Sequence, residues 1–183
     1  DFMTFRFIIL AAGKGTRMKQ ELPKALTPIG GKPILQHLYE SVQASGVDGD
    51  PVVVISPDQP KLCEAWDGTC EYVIQAEQLG TGHAVNVCRD AVTNADAIIV
   101  LYGDHPFISA HTLRTLAELH ENGERILSMM TTTVPSFEQW PNYIHWCRII
   151  RDRHGHIMAI REYKDAMESE QAITEVNPAL FCF

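Results

Sequence analysis

Short apolar runs alternate along the chain with longer segments in which apolar residues recur every three or four positions. The short runs are continuously apolar and bounded by turn-forming residues, so they predict buried strands at 5–10, 52–55, 72–74 and 97–102. The longer segments predict amphipathic helices, whose apolar faces are Ile34, Leu35, Leu38 and Val42 in one and Leu113, Leu116, Ala117 and His120 in another. Ser109 precedes the second helix, where its hydroxyl is expected to cap the first turn.

This alternation of strands and helices predicts an α/β fold. Continuously apolar strands joined by helices are typical of a doubly wound, mostly parallel sheet that is covered on both faces. Sheets of this kind bind their ligands at the carboxyl ends of the strands. Further apolar runs at 126–134, 146–150, 157–160 and 175–183 have irregular connections and predict added antiparallel strands, so the sheet is expected to be mixed.

Length and composition limit the class of protein. The 183 residues fit one domain of the usual ~100–200 residues, so a single domain over 1–183 is expected. The chain ends in the apolar stretch ALFCF, which predicts a domain truncated at its C-terminal end. No apolar run approaches the ~18 residues of a membrane span, so no membrane partner is expected.

Charge and cysteine usage narrow the class further. The formal net charge of -8 argues against a nucleic-acid partner, because such proteins concentrate Lys and Arg against phosphates. The five cysteines are odd in number and show neither a C-x-x-C pair nor zinc spacing. Reduced thiols and a cytoplasmic location are therefore expected.

A glycine-rich loop follows the first predicted strand, in the stretch FIILAAGKGTRMKQELPKAL. A dinucleotide fingerprint would need a third glycine where Met18 stands, and a Walker P-loop would need Ser or Thr at Gly15 and Gly at Ile8. Both motifs are excluded. The small residues of the loop still allow close approach to a ligand, its N–H groups can surround an anion, and Arg17 and Lys24 add positive charge. These features predict a nucleotide triphosphate site.

Four motifs then support a specific resemblance. LAAGKGTRM followed by LPKAL resembles the signature of the nucleotidyltransferases that make nucleotide sugars. QAEQLGTGHA and LYGDHP are most similar to the uridyltransferase domain of bacterial N-acetylglucosamine-1-phosphate uridyltransferases, and REYKDA and TEVN extend the similarity to residue 177. The resemblance implies the Rossmann-like nucleotidyltransferase fold, without the family's left-handed β-helix acetyltransferase domain.

The resemblance also implies site residues. Those for the nucleotide are Leu10, Ala12, Gly13, Gly15, Gln75, Gly80 and Thr81, with Arg17 and Lys24 as catalytic cations at the triphosphate. Gln75 and the backbone of Gly80 are expected to bind uracil, since a carboxamide offers a donor and an acceptor. Thr81 is expected to cap the helix that follows or to contact the nucleotide, whereas His83 is expected to serve packing or capping.

The remaining implied residues concern the metal and the sugar. Asp104 is expected to bind Mg²⁺, a hard cation that commonly uses only one or two protein carboxylates, and His105 is a poor ligand type for it. The sugar is expected to contact Tyr102, Cys147, Glu162 and Asn177. The implied reaction is attack of a sugar 1-phosphate on the α-phosphorus of UTP, with release of pyrophosphate and no Ser, Cys or His nucleophile.

Two departures from the family pattern leave alternatives open. Trp146, Cys147 and Arg148 stand where the family has Tyr-Gly-Arg, and Pro178 and Ala179 replace the usual Thr and Gly. The first alternative is an enzyme of the same fold that uses another sugar phosphate or base. The second is a nucleotide-binding module without catalysis. UTP and a sugar 1-phosphate are the partners implied, and a homo-oligomer is left open.

Overall fold

The computed structural model describes residues 2–13, 23–59, 62, 70–123 and 126–183. The chain forms two compact units, one of Asp1–Ser128 with Phe181–Phe183 and one of Met129–Leu180. They are called unit 1 and unit 2 below. In the described part of the chain, no helix has the length and apolar character needed to span a membrane.

The strands and helices are numbered in chain order. The strands are β1 (Phe5–Leu10), β2 (Pro28–Ile29), β3 (Lys32–Pro33), β4 (Val52–Ile55), β5 (Glu71–Ile74), β6 (Ala97–Tyr102), β7 (Ser128–Met129), β8 (Thr132–Thr133), β9 (Arg148–Arg151), β10 (Ile157–Arg161), β11 (Glu175–Val176) and β12 (Phe181–Cys182). The α-helices are α1 (Ile34–Ser45), α2 (Thr81–Asn86), α3 (Ala110–Glu121) and α4 (Glu168–Gln171). Short 3-10 helices lie at Lys24–Leu26, Asp90–Val92, Pro141–Tyr143 and Tyr163–Asp165.

The sheet of unit 1 has the strand order β5-β4-β1-β6-β12-β7. Strand β1 is parallel to β4 on one side and to β6 on the other, and β4 is parallel to β5. Strand β12 runs antiparallel to β6, with Phe181 opposite Val100. The sheet is therefore mostly parallel and mixed, as the sequence predicts, and the carboxyl ends of β1, β4, β5 and β6 share one edge.

Continuous burial explains why these strands form. All of β4 is buried, as are Phe7, Ile8 and Ile9 in β1, so both faces of the strands are covered. The predicted apolar faces of α1 and α3 are buried in full. Ser109 accepts a hydrogen bond from the N–H of Thr112 at 3.1 Å, which confirms the predicted cap of α3. Helix α1 ends at Gly46, which has the left-handed φ of 69° that favours glycine at this position.

Unit 2 is built on a second, antiparallel sheet of order β10-β9-β11-β8. The structure corrects two of the strands predicted in the second half of the chain. The runs 126–134 and 175–183 each contain two short strands rather than one. In the second run the break coincides with Pro178 and Ala179, because proline cannot donate to a ladder and Ala179 has a left-handed φ of 60°. Asn177 stabilises this turn by accepting the N–H of Ala179 at 2.8 Å.

Candidate functional site

A cavity of about 270 Å³ lies where strands β1 and β6 end. The chain passes from β1 to β4 and β5 on one side and then returns to β6 on the other side, so a crevice opens at the carboxyl ends between these strands. The residues that line the cavity are Leu10, Ala11, Ala12, Gly13, Lys24, Ala25, Gln75, Gln78, Gly80, Thr81, Ala84, Tyr102, Gly103 and Asp104. All of them belong to unit 1.

Backbone contacts hold the ends of the strands together at the cavity. The N–H of Gly103 donates to the carbonyl of Leu10 at 2.9 Å, and the N–H of Ala11 donates to the carbonyl of Val54 at 2.9 Å. A Cβ at residue 103 would lie 3.1 Å from the Leu10 oxygen and 3.2 Å from the Ala11 Cβ. Any larger residue would have to displace β1 or the loop after it by a few tenths of an ångström, so this close approach favours glycine. The predictions above do not include this role, although a glycine directly after a buried strand is a signal for it.

Lys24 and Asp104 form an ion pair that lines the cavity. Lys24 Nζ lies 2.5 Å from Asp104 Oδ2, and the two side chains remain 40% and 36% exposed. Lys24 begins the 3-10 helix Lys24–Leu26 directly after Pro23, and Asp104 follows β6, so distant parts of the sequence bring the two charges together. An accessible cation and an accessible carboxylate at one cavity are suited to a phosphate ligand with its metal ion.

The Asp104 carboxylate has the donor chemistry for a magnesium ion. Its Oδ1 makes no hydrogen bond to any described residue and lies 3.7 Å from His105 Nε2, so one oxygen can serve as a ligand. The described residues contain no group of three or more His, Cys, Asp and Glu side chains that could hold a metal ion. Phosphate oxygens and waters would have to complete the shell, which is the usual situation for Mg²⁺.

His105 packs beside this pair. Its ring stacks on Tyr102 with centroids 5.8 Å apart. Burial lowers the pKa of His105, an effect that Asp104 opposes and Lys24 reinforces. The stacking on Tyr102 gives the His105 ring a packing contact beside the cavity.

Gln75 is the buried polar residue of the cavity wall. Its backbone N–H continues the edge of the sheet by donating to the carbonyl of Ile55 at 2.8 Å. Its Nε2 lies 3.1 Å from the carbonyl oxygen of Gly80 and 3.1 Å from His83 Nδ1. Gly80 has φ 100° and ψ 178°, a conformation essentially confined to glycine, and it is the N-cap of α2. Thr81 lines the cavity as the first residue of α2, so the expectation that it caps this helix is wrong.

Two further glutamines support the loop after β1. Gln78 Nε2 donates to the carbonyl of Ala12 at 2.6 Å, and Gln59 Nε2 donates to the carbonyl of Gly13 at 3.5 Å. Gln59 is itself held because its Oε1 accepts the N–H of Ser56 at 3.0 Å. Neither glutamine is among the residues predicted from the sequence. Glutamines in loops are common, and only the fold shows which backbone groups they meet.

The predicted sugar residues other than Tyr102 lie in unit 2. The N–H of Asn177 donates to the carbonyl of Cys147 at 2.9 Å, so these two residues are neighbours. Burial raises the pKa of the Cys147 thiol, and the negative charge of Glu162 raises it further. Glu162 is exposed and pairs with Lys164 at 3.0 Å.

Arg148 is the most buried charged residue of this region. It is 0% exposed, and its guanidinium donates to the carbonyls of Gln171 at 3.1 Å, of Ile144 at 2.8 Å and of Trp146. The group lies 4.4 Å from the ring centroid of Phe137. Desolvation lowers its pKa. Arg148 therefore fixes the segment that carries Cys147.

Nine of the predicted site residues line the cavity at the ends of β1 and β6: Leu10, Ala12, Gly13, Lys24, Gln75, Gly80, Thr81, Tyr102 and Asp104. Gly15 and Arg17 lie outside the described residues. Cys147, Glu162 and Asn177 are in unit 2. The individual roles of all these residues stay predictions.

Comparisons with known proteins agree with this picture. A family model described as the MobA-like NTP transferase domain matches residues 7–172. The chain is 43% identical over 180 residues to the bifunctional protein GlmU of Psychrobacter sp. (strain PRwf-1), and the match covers 98% of this chain and 37% of that protein. Its identity to the bifunctional protein GlmU of Clostridioides difficile (strain 630) is 39% over 181 residues, with coverages of 99% and 38%. The chain thus spans about 38% of the length of the curated relatives that it matches.

A similarity in fold extends to more distant proteins. The solved structure of a UDP-glucose pyrophosphorylase in complex with UDP-glucose has a TM-score of 0.76 against this chain at 17% identity, covering 99% of this chain and 76% of that one. At this identity the similarity concerns the fold alone. It supports the mostly parallel α/β architecture.

Proposed function

The chain belongs to the MobA-like NTP transferase domain family, and from this premise we propose that it transfers a uridylyl group from UTP to a sugar 1-phosphate, releasing pyrophosphate. Family membership confirms the prediction of an enzyme of the nucleotidyltransferase type. The observation that carries the proposal is the cavity at the ends of β1 and β6, which is lined by the Lys24–Asp104 pair and the buried Gln75. The proposed sugar substrate is N-acetylglucosamine 1-phosphate, giving UDP-N-acetylglucosamine, because QAEQLGTGHA and LYGDHP resemble the uridyltransferases that use it.

The reaction needs little covalent chemistry from the protein. A sugar 1-phosphate is already anionic near neutral pH, so it can attack the α-phosphorus in line without a general base, and pyrophosphate leaves. Catalysis then depends on positioning and on stabilising the charge that develops on the phosphates. In the proposed roles, Gln75 and Gly80 hold the base, the backbone at 10–13 approaches the nucleotide, and Lys24 neutralises phosphate charge. Arg17 is proposed to assist Lys24.

Asp104 is proposed to hold the magnesium ion of the reaction. When bound, the ion would supply Lewis-acid polarisation of the phosphoryl oxygens. Asp104 contributes an anchoring carboxylate oxygen, and Lys24 on the other oxygen keeps the carboxylate oriented. Cys147, Glu162 and Asn177 are proposed, with Tyr102, to bind the sugar.

A nucleotidyltransferase of the same fold with another sugar phosphate is the second candidate. It is favoured by Cys147, whose side chain stands where the family pattern has glycine. A panel of sugar 1-phosphates with UTP would separate the two candidates. The second is supported if another sugar phosphate gives the higher kcat/KM.

The test is release of pyrophosphate from UTP, magnesium and N-acetylglucosamine 1-phosphate. We expect release by the wild-type chain, and a loss of about a hundredfold or more in Asp104→Ala, because a metal ligand and a partner of Lys24 are removed together. Asp90→Ala, which removes an exposed aspartate outside the cavity, is the matched control and should keep the wild-type rate. Equal rates in both variants would contradict the role of Asp104. UTP binding without any release would favour a module that binds nucleotide only.

A further inference from the structure

The side-chain amide of Gln75 is held from two directions by residues of one short segment. Gln75 is 4% exposed and lines the cavity. Its Nε2 is 3.1 Å from the carbonyl oxygen of Gly80 and 3.1 Å from Nδ1 of His83, which lies on α2. His83 is half-buried and is not among the residues that line the cavity, and its contact with Gln75 connects it to the cavity wall.

The chemistry of these partners fixes the orientation of the amide. A carbonyl oxygen only accepts hydrogen bonds, so the Gln75 atom that faces Gly80 must be the nitrogen. The Gly80 oxygen also accepts the N–H of Ala84 at 3.1 Å, which engages its other lone pair. The second hydrogen of Gln75 Nε2 then points to His83 Nδ1, which accepts it when the ring carries its hydrogen on Nε2.

The Gln75 side chain is therefore left with a hydrogen-bond acceptor, Oε1, to offer to a ligand. Both hydrogens of Nε2 are engaged within the protein, whereas Oε1 has no hydrogen-bond partner among the described residues. Gln75 lines the cavity, so the side-chain group that it has left for a ligand there is an acceptor.

We propose that His83 is a positioning residue for base choice, which holds the Gln75 carboxamide so that it presents only Oε1 to the nucleotide base. This inference rests on the proposed function, because it concerns the base of the same nucleoside triphosphate. Uracil carries an N–H donor at N3 that pairs with Oε1. Cytosine carries a bare lone pair at N3, which would face another acceptor and leave two buried acceptors opposed.

Removing the acceptor at residue 83 changes the balance between the two amide orientations. In the wild-type orientation one Nε2 hydrogen would lose its partner in a buried environment, which is costly. Turning the amide over would place Nε2 toward the base, where it can donate to cytosine N3, at the expense of the contact with Gly80. The free-energy difference between the two amide orientations becomes smaller, and the preference for uracil over cytosine therefore decreases.

The experiment measures the dissociation constants of UTP and CTP by calorimetry with the 183-residue chain and magnesium. We expect the wild type to bind UTP more tightly than CTP, and His83→Leu to lower this preference about tenfold, as for the loss of one buried hydrogen bond. His83→Asn should keep most of the preference, because its Oδ1 can accept at the position of Nδ1. His111→Leu, which removes an exposed histidine of α3 outside the cavity, is the matched control and should match the wild type.

The ratio of the two affinities separates positioning from a purely structural role. If His83→Leu weakens UTP and CTP by the same factor, or leaves the ratio unchanged, the inference is wrong. If the wild type binds both nucleotides equally, the inference is also wrong. If it binds neither nucleotide, the proposed function fails, which is a distinct result. Should His83→Leu not fold by circular dichroism, His83→Met, a flexible side chain with only a weak acceptor, is expected to give the same loss of preference.

Discussion

Gly103 marks the place where the ends of β1 and β6 come closest. A methyl group there would lie 3.1 Å from the Leu10 oxygen and 3.2 Å from the Ala11 Cβ, both of which belong to the cavity wall. We therefore expect Gly103→Ala to lower the free energy of unfolding by about 1–2 kcal/mol, the cost of overpacking a site that can only partly adjust. Urea unfolding measures this change.

The control for Gly103→Ala is Gly49→Ala. A Cβ at residue 49 meets nothing within 4 Å, and its φ is outside the range that strains other residues. Its stability should equal or slightly exceed that of the wild type, because alanine reduces the entropy of the unfolded chain. Equal losses in both variants would show that the cost comes from the backbone rather than from contact with β1.

Lys24 is the positively charged residue among the described residues that line the cavity. Its charge can be removed with little effect on stability, so the effect on catalysis can be measured by itself. We expect Lys24→Met to lower kcat for pyrophosphate release by about a hundredfold or more, since it removes positive charge where the phosphates would lie. Stability should change by less than about 1 kcal/mol, because the ion pair is accessible to solvent. Steady-state kinetics and thermal unfolding give the two quantities.

Lys32→Met is the matched control for this prediction. Lys32 also pairs with a carboxylate, Glu40 at 2.8 Å, and it is not among the residues that line the cavity. Its loss should leave kcat unchanged. A similar fall in kcat for both variants would mean that net charge, rather than charge at the cavity, controls the rate.

At the scale of elements, the sequence predicts the strands of unit 1 well. The predicted ranges 5–10, 52–55 and 97–102 coincide with β1, β4 and β6, because a strand buried on both faces leaves a continuous apolar run with sharp ends. In unit 2 the predicted runs 146–150 and 157–160 lie close to β9 and β10. The other two strands, β8 and β11, are two residues long, so the length of an apolar run does not show where they begin and end.

One ion pair connects two strands of unit 2. Arg151 on β9 donates to both oxygens of Glu175 on β11, at 2.8 Å and 2.7 Å. Hydrogen bonding from Arg151 holds the pKa of Glu175 below its usual range, with a smaller effect from Thr131. A depressed pKa means that the folded state favours the carboxylate, so this stabilisation is present above the ordinary value of about 4.3 and is lost as the pH falls below it.

Glu175→Gln should therefore cost about 1 kcal/mol or less at pH 7, after allowance for solvent at this partly exposed pair. The difference from the wild type should shrink as the pH is lowered from about 5 toward the depressed pKa, which urea unfolding at several pH values would show. Glu138→Gln, at an exposed glutamate, is the control and should follow the wild type throughout. A constant difference across this pH range would mean that the charge of Glu175 is not what stabilises the strands.

At the scale of the whole molecule, the sequence predicts most of the residues that line the cavity, but not the side chains that hold those residues in place. Leu10, Gln75 and Asp104 follow or end predicted strands, so a parallel sheet must bring them to one edge. The supports Gln59 and Gln78 act through backbone carbonyls of a loop, and no spacing rule identifies such partners. The contacts of Arg148 are likewise not predictable, because an arginine in an apolar run does not indicate that its guanidinium donates to three backbone carbonyls.

Arg148 also permits a test of how stability is distributed between the units. Arg148→Met would leave the carbonyls of Ile144, Trp146 and Gln171 without their donor inside unit 2. The loss of three buried hydrogen bonds from a charged donor is expected to cost about 3 kcal/mol or more of local stability. Hydrogen exchange followed by mass spectrometry should show faster exchange in β9, β10 and β11, with β1, β4 and β6 keeping their protection.

Arg114→Met is the control for the loss of an arginine side chain that donates to backbone carbonyls. Arg114 donates to the carbonyls of Ser45 at 3.1 Å and Ala44 at 3.1 Å within unit 1, at a partly exposed position. Its loss should have a smaller effect, because only two hydrogen bonds are lost and the contact with Ala44 is exposed, so water can replace the donor there. If Arg148→Met instead accelerates exchange equally in the strands of both units, the chain unfolds as one cooperative body, and the single domain expected from its length describes it better than two units do.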